Sequence, residues 1–466
     1  MQASGGRNPA PYFAFLILPL IAAHLGCRAS EVWITDQGVG AYELGVPNFD
    51  LQVTVSAIEG AFGADVRVAV TPSSLRSVPP ASGRRRGFDV LVRVFDRSER
   101  LLSESAFSDT LRLSHAQAPD ADAPIFWIQR LDTGSGTRLV QVILIDHESS
   151  GQSSRVVRLE VPDGSEPYLG EPILEGNGQN GATVPFLGSL VPASSDSLLA
   201  TIQYASASAT PADVRFTLLR VERDSEVATP PYWVSPGYGS LQFRGIAPLE
   251  ADTVQAITRR IPGSAGATSV AFHIPRLDEG VYRLEFEAHT PGARPLSRTR
   301  FITITPPGFP HLLSIDQMVE SLRYIAFEGE IRRIREGGNA QAMRARFDAF
   351  WGSLLPRRQA AAHLLESYYS RIEEANLRFS SFKEGWKTDR GMIFVLLGAP
   401  LEVFAREDVE VWRYAIADDA TQTFTFDRVP VPDAGRRYDN YVLRRRPYYE
   451  QVWAQAMDRW RHGIKL

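Results

Sequence analysis

Alternation of apolar and polar residues with a period of two dominates the chain from about residue 31 to residue 161. Residues 51–55, 66–70 and 90–95 each show it, because every second side chain is apolar. A strand with this pattern buries one face and exposes the other to water. The runs are short and are separated by clusters of Gly, Ser, Pro and Asp, so the pattern predicts an antiparallel β-sandwich.

A second block in the same style begins near residue 167 and ends near residue 304. Within it, residues 277–286 predict a turn that leads into a strand, with Tyr282 donating a hydrogen bond back across the corner, as in immunoglobulin-like sandwiches. The alternative is a plain hairpin in which Tyr282 is simply buried. We therefore expect two immunoglobulin-like β-sandwich domains in tandem, over residues 28–165 and 166–306.

The hydrophobic period changes to about 3.6 residues after the prolines at residues 306–310. Consecutive prolines end a strand and stiffen a linker, so a domain boundary is predicted here. Amphipathic helices are expected beyond it, and the first is predicted to begin with a capping box formed by Ser314 and Gln317 and to end at Gly337 and Gly338. The continuous apolar run at residues 392–397 predicts a central strand on which the helices pack. Residues 307–466 should therefore form an α+β domain with about three helices on a small sheet.

Cys27 is the only cysteine, and it directly follows an apolar run over residues 12–25. This run has the length of a signal-peptide core and is short for a membrane span, and Arg7 supplies the preceding positive charge. A lone cysteine in this position resembles the lipobox at which bacterial lipoproteins are cleaved and acylated. We expect residues 1–27 to be a lipoprotein-type signal peptide and Cys27 to carry the lipid that anchors the protein to a membrane. The alternatives are ordinary secretory cleavage, for instance after Ala29, or an uncleaved anchor.

Composition narrows the classes of function. The formal net charge of -4 gives no electrostatic case for a nucleic-acid partner. One cysteine allows no intrachain disulfide and no cysteine-based zinc site, and the histidines are scattered singly, so no metal or other cofactor is expected. Arginine supplies almost all of the positive charge, because Lys383, Lys387 and Lys465 are the only lysines. We interpret that bias as a coding habit rather than a function.

Two further local patterns need interpretation. The glycines at residues 176, 178 and 181 match a dinucleotide-binding motif. No helical pattern follows them, so a flexible turn is expected instead of a phosphate site. The three arginines at residues 444–446 precede the last helical stretch and are interpreted as a solvated face. The alternative is contact with anionic lipid or glycan.

A run of recognisable residues lies in the last third of the chain. Two belong to a predicted helix, six to a compact turn, and one to a strand beyond it, namely Arg371, Asn376, Gly385, Trp386, Thr388, Asp389, Arg390, Gly391 and Trp412. In order and spacing they resemble the GWxTD domain, which is found at the C-terminus of exported bacterial proteins and is named for a five-residue motif that occupies residues 385–389 here. The resemblance implies no catalytic role for any of them.

Turn chemistry accounts for each residue type in the motif. Thr388 and Asp389 can accept hydrogen bonds from backbone N–H groups, and the two glycines permit unusual dihedral angles. Trp386 can fill the helix layer. Arg390 or Arg371 could then pair with Asp389. A structural role is therefore expected for the motif.

The alternative is a groove in which the same side chains hold a peptide or a glycan. The carboxylates of Asp389, Glu410 and Asp427 could then act as an acid and base pair. A pocket that gathers the three would favour an envelope hydrolase, whereas separate buried pairs would favour a binding module. We expect the latter: a non-enzymatic lipoprotein of the cell envelope, on the extracytoplasmic side in the periplasm or at the outer membrane. It is expected to act as a binding or assembly module whose partner the sequence does not identify, with an envelope protein or a glycan as the candidates.

Overall fold

The computed structural model describes most of the chain beyond residue 45. The described residues are 46–464 except for 59–60, 76–83, 114–123, 178–182, 194, 196, 234–244, 264–265, 407, 416–420 and 432–437. They form antiparallel β-sheets followed by a C-terminal region with six α-helices. None of these helices combines the length and the apolar composition needed to cross a membrane.

The first block consists of two antiparallel sheets that share one apolar core. One sheet has the strand order β1-β2-β5, with β1 (Phe49–Ile58), β2 (Ala61–Val70) and β5 (Ile125–Leu131). The other has the order β4-β3-β6-β7, with β3 (Arg84–Asp96), β4 (Leu101–Leu113), β6 (Gly136–Asp146) and β7 (Gln152–Val161). Val66 from the first sheet and Val90 and Val142 from the second are fully buried in this core. The predicted alternation of buried and exposed residues is therefore present.

The second block repeats this arrangement with shorter strands in one sheet. That sheet has the order β10-β9-β12-β15, with β8 also on β12, and comprises β8 (Tyr168–Leu169), β9 (Ile173–Asn177), β10 (Thr183–Pro185), β12 (Leu198–Ser206) and β15 (Gly266–Ile274). The facing sheet has the order β11-β17-β16-β13-β14, with β11 (Leu190–Pro192), β13 (Ala212–Arg223), β14 (Ile246–Ile261), β16 (Gly280–His289) and β17 (Leu296–Thr305). Only the pairing of β11 with β17 is parallel among the described strands.

Two local predictions fall in this block. The Oη of Tyr282 donates a hydrogen bond to the carbonyl of Asp278 at 3.0 Å, so the predicted bond across the corner is present. Gly176 lies at the end of β9, which pairs antiparallel with β10 and places Asn177 opposite Thr183. The rest of the glycine pattern, residues 178–182, lies outside the described residues.

The C-terminal region packs helices around a four-stranded antiparallel sheet. The helices are α1 (Ile315–Ser321), α2 (Glu328–Arg335), α3 (Ala340–Leu354), α4 (Arg358–Phe379), α5 (Asp389–Leu397) and α6 (Tyr449–Arg461). The sheet has the order β18-β19-β20-β21, with β18 (Glu402–Ala405), β19 (Val409–Ala415), β20 (Thr421–Val429) and β21 (Asn440–Leu443). The number of helices is thus larger than the three expected.

Two sequence predictions about these elements were wrong. Residues 392–397 lie in α5 and not in a strand, because Thr388 caps a helix there and Gly398 ends it at a φ of 83°. The helix is buried on all sides, and a fully apolar run does not distinguish a buried helix from a buried strand. The first predicted helix is also divided into α1 and α2, because the Phe327 N–H bonds to the Glu330 carboxylate and starts a new helix.

One connection ties the second block to the C-terminal region. Residues 224–233, here called the strap, follow β13 and lie against the helices. Val227 and Ala228 are buried in the same apolar core as the C-terminal helices. The Ala228 N–H donates to the carbonyl of Lys387 at 2.9 Å, and the Arg446 N–H donates to the carbonyl of Pro231 at 3.1 Å. The strap is therefore part of the C-terminal core.

Candidate functional site

The GWxTD segment, residues 385–391, joins α4 to α5 through one turn of 3-10 helix. A Cβ atom on Gly385 would lie 1.9 Å from the carbonyl oxygen of Ala375, and one on Gly391 would lie 1.8 Å from the carbonyl oxygen of Gly385. Neither glycine has a positive φ. The glycines are therefore required by close backbone approach, and the predicted reason, unusual dihedral angles, was wrong.

Trp386 is fully buried between the helices, as predicted for a residue that fills this layer. Its ring meets the ring of Tyr324 edge to face at 6.1 Å, and the Tyr324 Oη donates to the Trp386 carbonyl at 2.7 Å. The Trp386 N–H donates to Oδ1 of buried Asn376 at 3.2 Å, and Nδ2 of Asn376 donates to the Pro310 carbonyl at 2.8 Å. Asn376 thus links the segment to the start of the C-terminal region.

Thr388 and Asp389 accept hydrogen bonds from backbone N–H groups, as predicted. The Thr388 Oγ1 accepts from the Gly391 N–H at 3.0 Å and caps α5. The Asp389 Oδ2 accepts from the Leu443 N–H on β21 at 2.8 Å. These bonds hold the start of α5 against the last strand of the sheet.

The ion-pair partner of Asp389 is Arg445, and not Arg390 or Arg371 as expected. The guanidinium donates from Nη2 to Oδ1 at 2.6 Å and from Nη1 to Oδ2 at 3.0 Å. The same Nη2 donates to the carbonyl of Thr229 in the strap at 3.0 Å. The interpretation of residues 444–446 as a solvated face was therefore wrong for Arg445, whose partner lies 56 residues away in the sequence.

Arg390 pairs instead with Glu410 on β19, with Nη1 to Oε2 at 3.4 Å. Its guanidinium lies 3.8 Å from the centre of the Tyr441 ring, and burial raises the pKa of that phenol. The Trp412 Nε1 donates to the other oxygen of Glu410 at 2.5 Å. Both oxygens of this buried carboxylate therefore have donors within the chain.

Arg371 contacts the C-terminal end of α5. Its Nη1 donates to the carbonyls of Val395 and Leu396, each at 3.3 Å, and its guanidinium lies 4.8 Å from the centre of the Trp460 ring. Burial lowers the pKa of Arg371. A cation at the carbonyl end of a helix favours the negative end of the helix dipole, so Arg371 stabilises α5.

The three carboxylates considered for acid and base catalysis do not share a site. Asp389 pairs with Arg445, Glu410 pairs with Arg390, and Asp427 pairs with Arg444 at 2.6 Å on the exposed side of the sheet. Within the described residues no group of three or more His, Cys, Asp or Glu side chains is arranged to hold a metal ion. The three carboxylates are therefore held in separate ion pairs, of which those of Asp389 and Glu410 are largely buried and that of Asp427 is exposed.

Cys27, the residue expected to carry the lipid, lies outside the described residues. The sequence reasoning also missed the polar contacts of the strap. The Lys383 Nζ donates to the Asp224 Oδ2 at 2.8 Å and to the Glu226 carbonyl at 2.7 Å. The one signal that could have drawn attention to Lys383 is that it is one of only three lysines.

Comparison with known proteins gives one family match, which covers the C-terminal region. A family model described as the GWxTD domain matches residues 292–462. The match begins between β16 and β17, so it includes the last strand of the second block as well as the helices and the small sheet. No curated protein matches this sequence.

Solved structures give only weak likenesses. A red sea bream transglutaminase is 13% identical over 55% of this chain, which spans 31% of that transglutaminase, with a TM-score of 0.16. The C-terminal domain of the Streptococcus agalactiae AgI/II polypeptide BspA is 8% identical over 54% of this chain and 98% of that chain, with a TM-score of 0.16. A structure named pT26-6p is 9% identical over 76% of this chain and 84% of that chain, with a TM-score of 0.18.

Proposed function

We propose that the protein is an exported cell-envelope lipoprotein that acts as a non-enzymatic binding or assembly module, and the match of residues 292–462 to the GWxTD family model supports this proposal. The observation that carries the proposal is that the GWxTD segment is engaged within its own chain. Trp386 is fully buried, and Thr388, Asp389 and Arg390 all bond to neighbouring elements. Because the side chains of this segment are used to stabilise the fold, we infer that other surfaces of the protein bind the partner.

We propose that both β-blocks are immunoglobulin-like sandwiches and that they display those surfaces. For the second block, support comes from the parallel pairing of β11 with β17, which leads the chain from one sheet to the other, and from the Tyr282 bond at the corner before β16. Such domains present loops and sheet edges for recognition. The lipid on Cys27 would hold them on the extracytoplasmic side of a membrane.

Strand β5 is an edge suited to receive a partner. Among the described strands it pairs with β2 alone, and no register shift interrupts that pairing. Ile128 at its centre is 57% exposed. By contrast, the edge strand β14 has register shifts opposite Leu218/Leu219 and Val221/Glu222, and such bulges protect an edge from pairing. An extended segment of an envelope protein would add to β5 as a further strand.

Placing a charge on this edge tests the proposal. Wild-type protein, Ile128→Lys and Leu401→Lys would each be used to capture partners from detergent-solubilised envelopes. Leu401 is a matched control because it is also 57% exposed but lies beside the C-terminal sheet. We expect wild type and Leu401→Lys to retain the same envelope protein and Ile128→Lys to lose it, with equal melting temperatures. Equal capture by all three proteins, or no specific capture by wild type, would overturn the proposal.

A further inference from the structure

A buried pair of side chains joins the strap to the loop before the GWxTD segment. Lys383 follows α4, Asp224 is the first residue of the strap, and Nζ lies 2.8 Å from Oδ2. The two side chains are only 7% and 9% exposed. The ring of Phe382 lies 5.7 Å from Nζ. An amine and a carboxyl group are thus held together away from water.

The choice of lysine at this position is informative. Only three of the 50 Lys and Arg residues are lysine, so arginine is the default cation of this chain. Arginine is also the better partner in a purely ionic buried pair, because its guanidinium binds a carboxylate through two parallel hydrogen bonds. An amine differs in that it becomes a nucleophile once it loses its proton, whereas a guanidinium stays protonated.

The peptide groups of one residue orient both partners. The Glu226 N–H donates to the Asp224 Oδ1 at 2.9 Å, and the Glu226 carbonyl accepts from the Lys383 Nζ at 2.7 Å. Oδ1 therefore has a donor where negative charge would develop during acyl transfer. Oδ2 accepts a hydrogen bond from the amine and is the oxygen that would act as the leaving group. The amine is held beside the carboxyl carbon, the positioning that accelerates a reaction between two groups.

We propose that Lys383 and Asp224 condense to form a side-chain amide bond. In the reactive form of the pair, a proton has passed from the ammonium to Oδ2, which leaves an amine beside a carboxylic acid. The Nζ lone pair attacks Cγ, the bond from Cγ to Oδ2 breaks, and Oδ2 leaves as water with its own proton and one from Nζ. No oxidant or reductant is needed. The product N–H donates to the Glu226 carbonyl and the product carbonyl accepts from the Glu226 N–H, so both polar groups keep their partners.

The bond would join residues that are 159 positions apart and would link the second block covalently to the GWxTD domain. A cross-link between distant residues stabilises a fold by restricting the unfolded chain, as a disulfide does. This inference goes beyond the proposed binding function, because it depends on neither a partner nor a membrane anchor.

Intact mass spectrometry of the full-length protein tests the bond. We expect the wild-type chain to lack the mass of one water molecule relative to Lys383→Arg, after allowance for the substituted residue. Processing at the N-terminus cancels in this comparison, because both proteins come from the same host. Lys387→Arg, which changes a neighbouring lysine that pairs with Glu384, should keep the loss of water.

Peptide mapping locates the bond. Trypsin does not cleave after an acylated lysine, so a digest of denatured wild type should contain residues 379–387 attached to residues 224–244. Asp224→Ala should instead release residues 379–383 as a free peptide. A wild-type mass without the loss of water, together with free residues 379–383 in its digest, would overturn the proposal whether or not the variants fold.

Discussion

Replacement of Trp386 by alanine tests whether the GWxTD segment is a structural core. The side chain is fully buried in the C-terminal core and packs edge to face on Tyr324. Truncation of such a residue typically costs about 3 to 5 kcal/mol of the free energy of unfolding. The aromatic pair with Tyr324 accounts for about 0.5 to 1.5 kcal/mol of that loss.

A second substitution at the same position refines the expected magnitude. The Trp386 Nε1 is buried and has no hydrogen-bond partner within the described part of the chain. A buried donor without a partner costs about 1 to 3 kcal/mol, so Trp386→Phe removes a penalty while it leaves a smaller cavity. We therefore expect Trp386→Phe to destabilise the protein clearly less than Trp386→Ala.

Urea unfolding followed by circular dichroism measures both changes as shifts of the midpoint. Trp233→Ala is the matched control, because Trp233 is 61% exposed and its loss should change stability by only about 0.5 kcal/mol. The expected order of midpoints is wild type and Trp233→Ala, then Trp386→Phe, then Trp386→Ala. An unchanged midpoint for Trp386→Ala with a lost partner interaction would refute the structural reading.

Three further predictions concern charge and attachment. Asp389→Ala should cost about 1 to 3 kcal/mol in urea unfolding, because it leaves buried donors without an acceptor, and Asp427→Ala should cost less because its ion pair is exposed. Burial alone would raise the pKa of Glu330, but hydrogen bonds from Arg461 and the Phe327 N–H lower it overall. The stability that Glu330 contributes is therefore present above its ordinary pKa of 4.5 and is lost as the pH falls below that value. In thermal melts over that pH range, an Arg461→Met variant should lose less stability than the wild type. Cys27→Ser should move the protein out of the membrane fraction, whereas unchanged retention with no labelled acyl chain would count against lipidation.

Local signals in the sequence predicted much of the fold. Alternation with period two gave the strands of both blocks, since one face of each sheet is buried in a shared core. The bond between Ser314 and the Gln317 N–H at the start of α1 followed from residue types three positions apart. The Thr388 cap was predictable for the same reason, because its partner Gly391 is a near neighbour in the chain.

Long-range partners were not predictable from one sequence. Asp389 was expected to pair with a nearby arginine, but the fold brings Arg445 to it from the segment after β21. The sequence of the strap does not indicate its backbone hydrogen bonds with Lys387 and Arg446. These bonds form only because the second block packs against the C-terminal helices. The helix at residues 392–397 was missed because burial on every face removes the periodicity that identifies a helix.

Native-state hydrogen exchange tests most directly the claim that the GWxTD segment is the structural centre of its domain. The amides of Gly391 and Leu443 bond to the side chains of Thr388 and Asp389, and α5 is buried throughout. These amides should exchange only through global unfolding and be the slowest in the C-terminal region. Fast exchange at Gly391 and Leu443, with slower exchange in α3 and α4, would contradict the account.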